Sequence, residues 1–140
     1  MSRIALITGG QQGIGLGVAL ALAGAGYRIA LAAELPETAA PVAEALARLG
    51  SQARYFRHDL REVERCAALL DRVETELGPV TTLVSNAGVP ARQRGDMLAI
   101  TPENFDFTLG INLRGAFFLA QEVARRMLAA PSAHYRSLSF

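Results

Sequence analysis

The chain has 140 residues, a formal net charge of +1, one cysteine and two histidines, and 51% of its residues are apolar. That apolar share is enough for a packed core, which excludes a wholly disordered chain, and the near-neutral charge lacks the basic excess of a nucleic-acid-binding protein. A lone Cys66 excludes an intrachain disulfide, and with two histidines it supplies too few ligands for a structural zinc site, so we predict no metal.

The N-terminal region has the composition of a signal peptide or membrane span without its pattern. Residues 4–27 carry no charge, but they include seven glycines and the pair Gln11-Gln12. A spanning helix needs about 20 mostly apolar residues, and a signal peptide needs an unbroken apolar centre. We therefore predict no membrane association and, since no disulfide is possible within the chain, a cytoplasmic location.

The first half of the chain alternates strand and helix signals. The continuous apolar run from Ile4 to Ile7 predicts a strand buried on both faces. After a glycine-rich turn, apolar residues recur at helical spacing up to Gly26. The pattern then predicts a second buried strand (Tyr27–Ala33), a helix from Pro41 to Leu49, and a third strand (Gln52–Arg57).

The second half continues the same alternation. It predicts a helix from Val63 to Leu77, a fourth strand (Val80–Ser85) and the beginning of a fifth strand (Arg136–Phe140). Thr101-Pro102 opens a long helix, with Thr as the cap and Pro in the first position. Its predicted apolar face contains Phe105, Leu109, Leu113, Phe117, Ala120, Ala124 and Met127.

Short connections between alternating strands and helices predict right-handed crossovers. We therefore predict an α/β fold, a doubly wound parallel sheet with helices on both faces, over the single domain 1–140.

The strongest local signal is the glycine-rich run from Thr8 to Gly15, between the first strand and the first helix. Glycines allow a tight turn and a close approach of phosphate, and the free N–H groups of a helix start favour an anion. The run contains no Lys or Arg, so backbone donors would hold the anion. Its spacing matches neither G-x-G-x-x-G nor a P-loop, and a turn that merely shapes the junction is the alternative.

Thr8-Gly9-x-x-x-Gly13-Ile14-Gly15 resembles the cofactor motif of the short-chain dehydrogenase/reductase family. Three further motifs follow in the family's order, and they are Asp59-Leu60 after the third strand, Asn86-Ala87-Gly88 after the fourth, and Asn112 in the long helix. The resemblance covers the whole chain and is nearest to 3-oxoacyl-[acyl-carrier-protein] reductase-like members. It implies a Rossmann fold and a nicotinamide dinucleotide cofactor.

The resemblance also implies roles for individual residues. Asn112 would be catalytic, because its main-chain carbonyl would hold a water of the proton relay. The implied cofactor-binding residues are Gly9, Gln12, Gly13, Ile14, Gly15, Glu34, Asp59, Leu60, Asn86, Ala87 and Gly88. Two simpler readings remain open, since Asp59 could cap the next helix and Asn86 could be an ordinary turn residue.

The cofactor preference depends on the end of the second strand. An ungapped count places Ala33 at the family's acidic position, and a strand longer by one residue places Glu34 there. A carboxylate at this point accepts bonds from the ribose hydroxyls and repels a 2′-phosphate. Because neither Glu34 nor Gln12 is cationic, we favour NAD over NADP.

The long helix carries apolar residues on two sides. A helix that is apolar on two sides needs two packing partners, and the sheet supplies one. By resemblance the second is the same helix of another subunit, so we predict a homodimer or homotetramer through the helix that contains Asn112.

The family's Tyr-x-x-x-Lys pair is not found, because the sequence contains no lysine and all 14 cationic residues are arginine. Counting from Asn112, the family's catalytic serine would fall just beyond Phe140. We expect the natural chain to continue, with the Rossmann fold cut in its fifth strand here, and we expect the 140-residue chain alone to be inactive. The intact protein would be an NAD(P)-dependent oxidoreductase acting on a ketone or secondary alcohol. The alternative is a non-catalytic dinucleotide-binding or assembly module.

Overall fold

A five-stranded sheet forms the centre of the protein. The computed structural model describes residues 2–130 and 137–140. All neighbouring strands are parallel, in the order β3-β2-β1-β4-β5. The strands are β1 (Arg3–Thr8), β2 (Tyr27–Ala33), β3 (Ala53–Arg57), β4 (Thr82–Val84) and β5 (Ser137–Ser139). The predicted parallel α/β sheet is confirmed.

Helices cover both faces of this sheet. They are α1 (Gly13–Gly24), α2 (Ala40–Leu49), α3 (Cys66–Glu76), α4 (Pro102–Leu109) and α5 (Ala116–Ala129). One buried cluster contains residues of α1 and α2, and a second contains residues of α3 and α5. Alternate side chains of the central strand β1 pack into different clusters: Ile4 and Leu6 belong to one, and Ala5 and Ile7 to the other. This explains why its sequence is continuously apolar.

The predicted long helix is interrupted. A π-helical segment, Gly110–Gly115, separates α4 from α5 and contains Asn112. The extra residue in a π turn rotates the residues after it relative to those before it. Of the predicted apolar face, only Ala120 and Met127 are buried. Phe105, Leu113 and Phe117 of the predicted face are more than half exposed. The residues of α5 that enter the core are Leu119, Ala120, Val123 and Met127.

Smaller corrections concern element ends. Val63–Arg65 forms a 3-10 turn before α3, and β4 is shorter than the predicted strand. Arg136 of the predicted fifth strand lies outside the described residues. Within residues 2–130 and 137–140, none of the helices combines the length and apolar character that a membrane span requires.

Arg126 links the two helices of one sheet face. Its guanidinium contacts Asp71 (2.9 Å) and Glu74 (3.0 Å) of α3 and Glu122 (2.8 Å) of its own helix. It also donates to the main-chain oxygen of Ala67 at 3.0 Å. Because the Arg126 side chain is only 24% exposed, these contacts are less screened than those of an ordinary surface pair.

Arg126→Met should therefore lower the free energy of unfolding by about 2 kcal/mol, since it leaves three carboxylates close together without their cation. Urea unfolding measures this. Arg125→Met is the matched control, because Arg125 is the exposed neighbour on α5. Equal stability of the two variants would show that the Arg126 network contributes nothing.

Candidate functional site

A cavity of about 610 Å³ opens at the carboxyl end of the sheet. Its walls come from the segments that follow β1, β2, β3 and β4 and from the start of the π segment. The chain leaves β1 for β2 on one side and later returns to β4 on the other, so the cavity lies at the reversal of strand order. In open α/β sheets this is where ligands bind.

Nine of the predicted cofactor residues line this cavity, and they are Gly9, Gln12, Ile14, Glu34, Asp59, Leu60, Asn86, Ala87 and Gly88. Gly13, Gly15 and Asn112 are not in its lining. The first two belong to the start of α1, and Asn112 contacts the loop that follows the lining residue Gly88. The sequence motifs are therefore brought together around one space.

The turn between β1 and α1 depends on glycine at several positions. Gly9 and Gly13 have φ values of +65° and +56°, which favour glycine. A Cβ at Gly15 would meet the Gly9 carbonyl oxygen and lie 2.5 Å from Asn86 Nδ2. A Cβ at Gly13 would meet nothing within 4 Å. Gly15 is thus required for packing within the turn, whereas Gly13 is required by its backbone conformation.

The N–H groups at the start of α1 are available to bind an anion. Gln12 occupies the cap position without a side-chain hydrogen bond, and the first turn contains no acidic residue. The first N–H groups of a helix have no partner within it, and their dipole is positive. Ile14, 81% exposed, carries one of these groups at the cavity wall.

Thr8 and Asn86 tie the ends of β1 and β4 together beneath the cavity. The Thr8 hydroxyl accepts from the N–H groups of Asn86 and Ala87, both at 3.1 Å. The Asn86 amide donates to the main-chain oxygens of Thr8 and Gly9, both at 3.2 Å. Asn86 therefore braces the glycine turn from a neighbouring strand and is more than an ordinary turn residue.

Glu34 is the first residue after β2. Ala33, the other candidate for the acidic position, is buried, whereas Glu34 is exposed and lines the cavity. The Tyr55 hydroxyl lies 2.9 Å from the Ala33 main-chain oxygen and 2.6 Å from that of Leu35, and it shares its one hydrogen between these two acceptors on either side of Glu34. Burial raises the pKa of Tyr55 to about 12, so it stays protonated as a donor. Arg57 Nε donates to the Glu34 carbonyl oxygen at 2.9 Å.

Asp59 does not cap a helix, because the residue at the α3 cap position is Arg65. Its carboxylate instead accepts from the N–H and the guanidinium of Arg61. Hydrogen bonding from Arg61 lowers the pKa of Asp59 below its ordinary value. Asp59 is therefore ionised at neutral pH and reaches the cavity as an acceptor.

Two asparagines hold the loop that follows Gly88. Asn112 Oδ1 accepts from the Val89 N–H and its Nδ2 donates to the Val89 oxygen, both at 2.8 Å. Asn104 Oδ1 accepts from the Arg92 N–H at 3.0 Å, and its Nδ2 donates to the Gln93 oxygen at 2.9 Å. Asn112 thus fixes this cavity wall with its side chain. The water-holding role of its carbonyl stays a prediction.

Three side chains in this region were not among the predicted site residues. Gln11 lines the cavity, is 7% exposed, and its Oε1 has no hydrogen-bond partner among the described residues. His58 is buried with no partner there for Nε2, and burial lowers its pKa, so the ring is neutral at pH 7. Phe107 lines the cavity from α4. Glycine spacing carries no signal for any of them.

The model of the family described as short chain dehydrogenase matches residues 3–134. The chain belongs to the short-chain dehydrogenase family. This agrees with the resemblance carried by the glycine motif, Asp59-Leu60, Asn86-Ala87-Gly88 and Asn112.

Similar proteins within the short-chain dehydrogenase family are longer. A 3-oxoacyl-[acyl-carrier protein] reductase from Brucella melitensis, solved in complex with NAD, is 40% identical with a TM-score of 0.89 over 99% of this chain and 54% of its own. An actinorhodin polyketide ketoreductase solved with NADPH is 32% identical, with a TM-score of 0.81 over 91% of this chain and 49% of its own. A protein of Rhizobium meliloti (strain 1021) named "Probable galactose dehydrogenase" is 39% identical over 89% of this chain and 48% of its own. The chain spans about half the length of these relatives.

Proposed function

We propose that the protein is an oxidoreductase that transfers hydride between a nicotinamide dinucleotide and a ketone or secondary alcohol. The observation that carries the proposal is that residues of three family motifs line one cavity at the reversal of strand order, while the fourth, Asn112, holds the adjoining Val89. Membership of the short-chain dehydrogenase family supports the reaction class.

The residues present fit such a cofactor. The uncapped start of α1 offers unpaired N–H groups to a pyrophosphate, and the packing around Gly15 leaves no room for a side chain that would crowd it. The buried, unpartnered Gln11 Oε1 is an acceptor suited to a ribose hydroxyl. A cavity of about 610 Å³ lies within the range of small-molecule and cofactor sites.

A bound nicotinamide dinucleotide supplies the hydride donor or acceptor. This chain's own residues would bind and orient it. Gly9, Gly13 and Gly15 would cradle the pyrophosphate with the Ile14 N–H as a donor, and Asn86, Ala87 and Gly88 would pass beneath the ribose. Asp59 would accept from the adenine amino group, and the Leu60 N–H would donate to a ring nitrogen. Asn112 holds Val89 in place, and its carbonyl would hold a water of the proton relay.

We favour NAD over NADP on electrostatic grounds. Glu34 brings a carboxylate to the cavity at the end of β2, and Gln12 brings no cation. A 2′-phosphate beside Glu34 would be repelled, while ribose hydroxyls would be accepted. One solved relative is in complex with NAD and another with NADPH, so family membership alone does not decide between the two cofactors.

Glu34→Arg should shift the NADP-to-NAD affinity ratio by about 30-fold toward NADP, because it removes a repulsion and adds a partner for the phosphate. Titration calorimetry with both cofactors measures the ratio. Glu37→Arg makes the same charge change at an exposed site outside the cavity lining and should leave the ratio within about three-fold. An unchanged ratio in Glu34→Arg would remove this residue from the ribose site.

The competing function is a non-catalytic dinucleotide-binding or assembly module. Absorbance of the reduced nicotinamide, followed with a panel of ketones and secondary alcohols, separates the two. The oxidoreductase proposal expects turnover by the intact protein. Dinucleotide binding with no turnover on any member of the panel would favour the module.

Three further proposals concern organisation. Residues 1–140 would form the N-terminal, cofactor-binding part of a single Rossmann-type domain. The protein would be a homodimer or homotetramer through the helix that contains Asn112, from α4 through the π segment into α5. Its exposed apolar residues include Phe105, Leu113 and Phe117. A cytoplasmic location fits the chain's single, buried cysteine.

A further inference from the structure

Arg61 forms several hydrogen bonds with the Asp59 carboxylate at the cavity wall. The Arg61 main-chain N–H donates to Asp59 Oδ1 at 2.9 Å. Its Nε is shared between Oδ1 (3.1 Å) and Oδ2 (3.2 Å), and its Nη2 donates to Oδ2 at 2.7 Å. Both residues line the cavity. This fork fixes the plane of the carboxylate.

Arg61 is itself held by an aromatic ring. Its guanidinium lies 5.4 Å from the centre of the Phe107 ring, and that of Arg92 lies 3.5 Å from the same centre. The Arg92 backbone is bonded to the buried Asn104, which anchors this group to α4. Arg61 therefore reaches Asp59 from a defined direction, although 48% of its side chain is exposed.

The number of donors on Asp59 decides what else it can bind. Arg61 brings three N–H groups, and an ionised carboxylate offers about four acceptor sites. About one acceptor site remains on Asp59, which lines the cavity proposed to hold the dinucleotide. A group placed there must donate a hydrogen, so an amino group fits and a carbonyl oxygen is repelled.

We propose that Arg61 is a positioning residue that presets the Asp59 carboxylate to select adenine over a 6-oxopurine in the dinucleotide. The inference rests on the proposed function, since it requires the adenosine half to lie at Asp59. Arg61 acts on the cofactor through Asp59. A merely structural ion pair would stabilise the segment after β3 without changing which base is preferred.

The test compares NAD with nicotinamide hypoxanthine dinucleotide, in which a carbonyl replaces the 6-amino group. The intact protein should bind NAD at least about ten-fold more tightly, because the analogue's carbonyl faces the Asp59 carboxylate and its N1–H cannot accept from the Leu60 N–H. Arg61→Ala should weaken NAD binding about ten-fold and analogue binding less than about two-fold, which removes the part of the preference due to Asp59 and leaves the part due to Leu60. Arg61→Lys keeps the positive charge but not the planar pair of guanidinium donors, so it should retain part of the preference for NAD.

Arg65→Ala is the matched control, because Arg65 is an exposed arginine that pairs with Glu62 instead. It should behave as the unmodified protein. An equal loss for both ligands in Arg61→Ala, a preserved preference, or tighter NAD binding would each overturn the positioning role. Equal binding of the two dinucleotides to the unmodified protein would overturn it as well, while leaving dinucleotide binding intact. Failure of the unmodified protein to bind either ligand would instead defeat the proposed function, and the role of Arg61 with it.

Discussion

Alanine at position 115 is expected to destabilise the protein by about 3 kcal/mol and lower Tm by about 10 °C. Gly115 is buried at the end of the π segment. A Cβ there would meet the Leu60 carbonyl oxygen and lie 2.7 Å from its carbon and 2.8 Å from Leu60 Cβ. Backbone atoms cannot rotate away as a side-chain end can, so α5 or the segment after β3 must move. Either shift moves Leu60 in the cavity wall, so dinucleotide affinity should fall too.

The matched control lies in the same π segment. A Cβ at Gly110 would meet only Arg61 Cγ at 3.8 Å, an ordinary contact. Gly110→Ala should therefore stay within about 1 kcal/mol of the unmodified protein in thermal unfolding. If Gly115→Ala is as stable as Gly110→Ala, the chain does not pack against Leu60 at Gly115 as closely as described.

Alanine at position 15 should abolish measurable binding of either dinucleotide and destabilise the protein by about 2 kcal/mol. Its methyl group would press on the Gly9 carbonyl oxygen and on Asn86 Nδ2, which donates to that oxygen at 3.2 Å. The brace between the glycine turn and β4 would open, and the start of α1 would lose its position beneath the pyrophosphate. Calorimetric titration and urea unfolding measure the two effects.

Gly17→Ala makes the same change two residues later, and it is expected to raise the free energy of unfolding rather than lower it. A Cβ at Gly17 meets nothing within 4 Å, so alanine should stabilise the helix by about 0.5–1 kcal/mol and leave binding unchanged. Retained dinucleotide binding in Gly15→Ala, at the stability of Gly17→Ala, would contradict the packing described for the turn.

The sheet was predictable because its signals are local. The continuous apolar runs at Ile4–Ile7 and Tyr27–Ala33 mark strands buried on both faces, and glycine or proline marks the ends of the intervening helices. The order of the motifs along the chain then placed most of the candidate cofactor residues at one edge, because parallel strands share their carboxyl ends.

The π segment was not predictable from periodicity. Phe105, Leu109, Leu113 and Phe117 recur every four residues, so the pattern favoured one straight helix that is apolar on two sides. After the π segment the buried residues are Leu119 and Val123, together with Ala120 and Met127 of the predicted face. Only Asn112, a poor helix former among apolar residues, indicated an irregularity.

Interactions between separate segments carried no sequence signal either. The burial of Gln11 and the contacts of Arg61 and Arg92 with the Phe107 ring depend on how segments after different strands meet at the cavity. In the sequence, Arg61 is one of 14 arginines and nothing distinguishes it. Side chains selected by tertiary contact rather than by spacing need the structure to be found.

The central claim is that this cavity binds a nicotinamide dinucleotide, and a crystal structure of the protein with NAD tests it most directly. The account predicts the pyrophosphate against the Gly13 and Ile14 amides, the adenine amino group at Asp59, and the ribose hydroxyls near Glu34. A dinucleotide bound outside this cavity, or an empty cavity at saturating NAD, would contradict it.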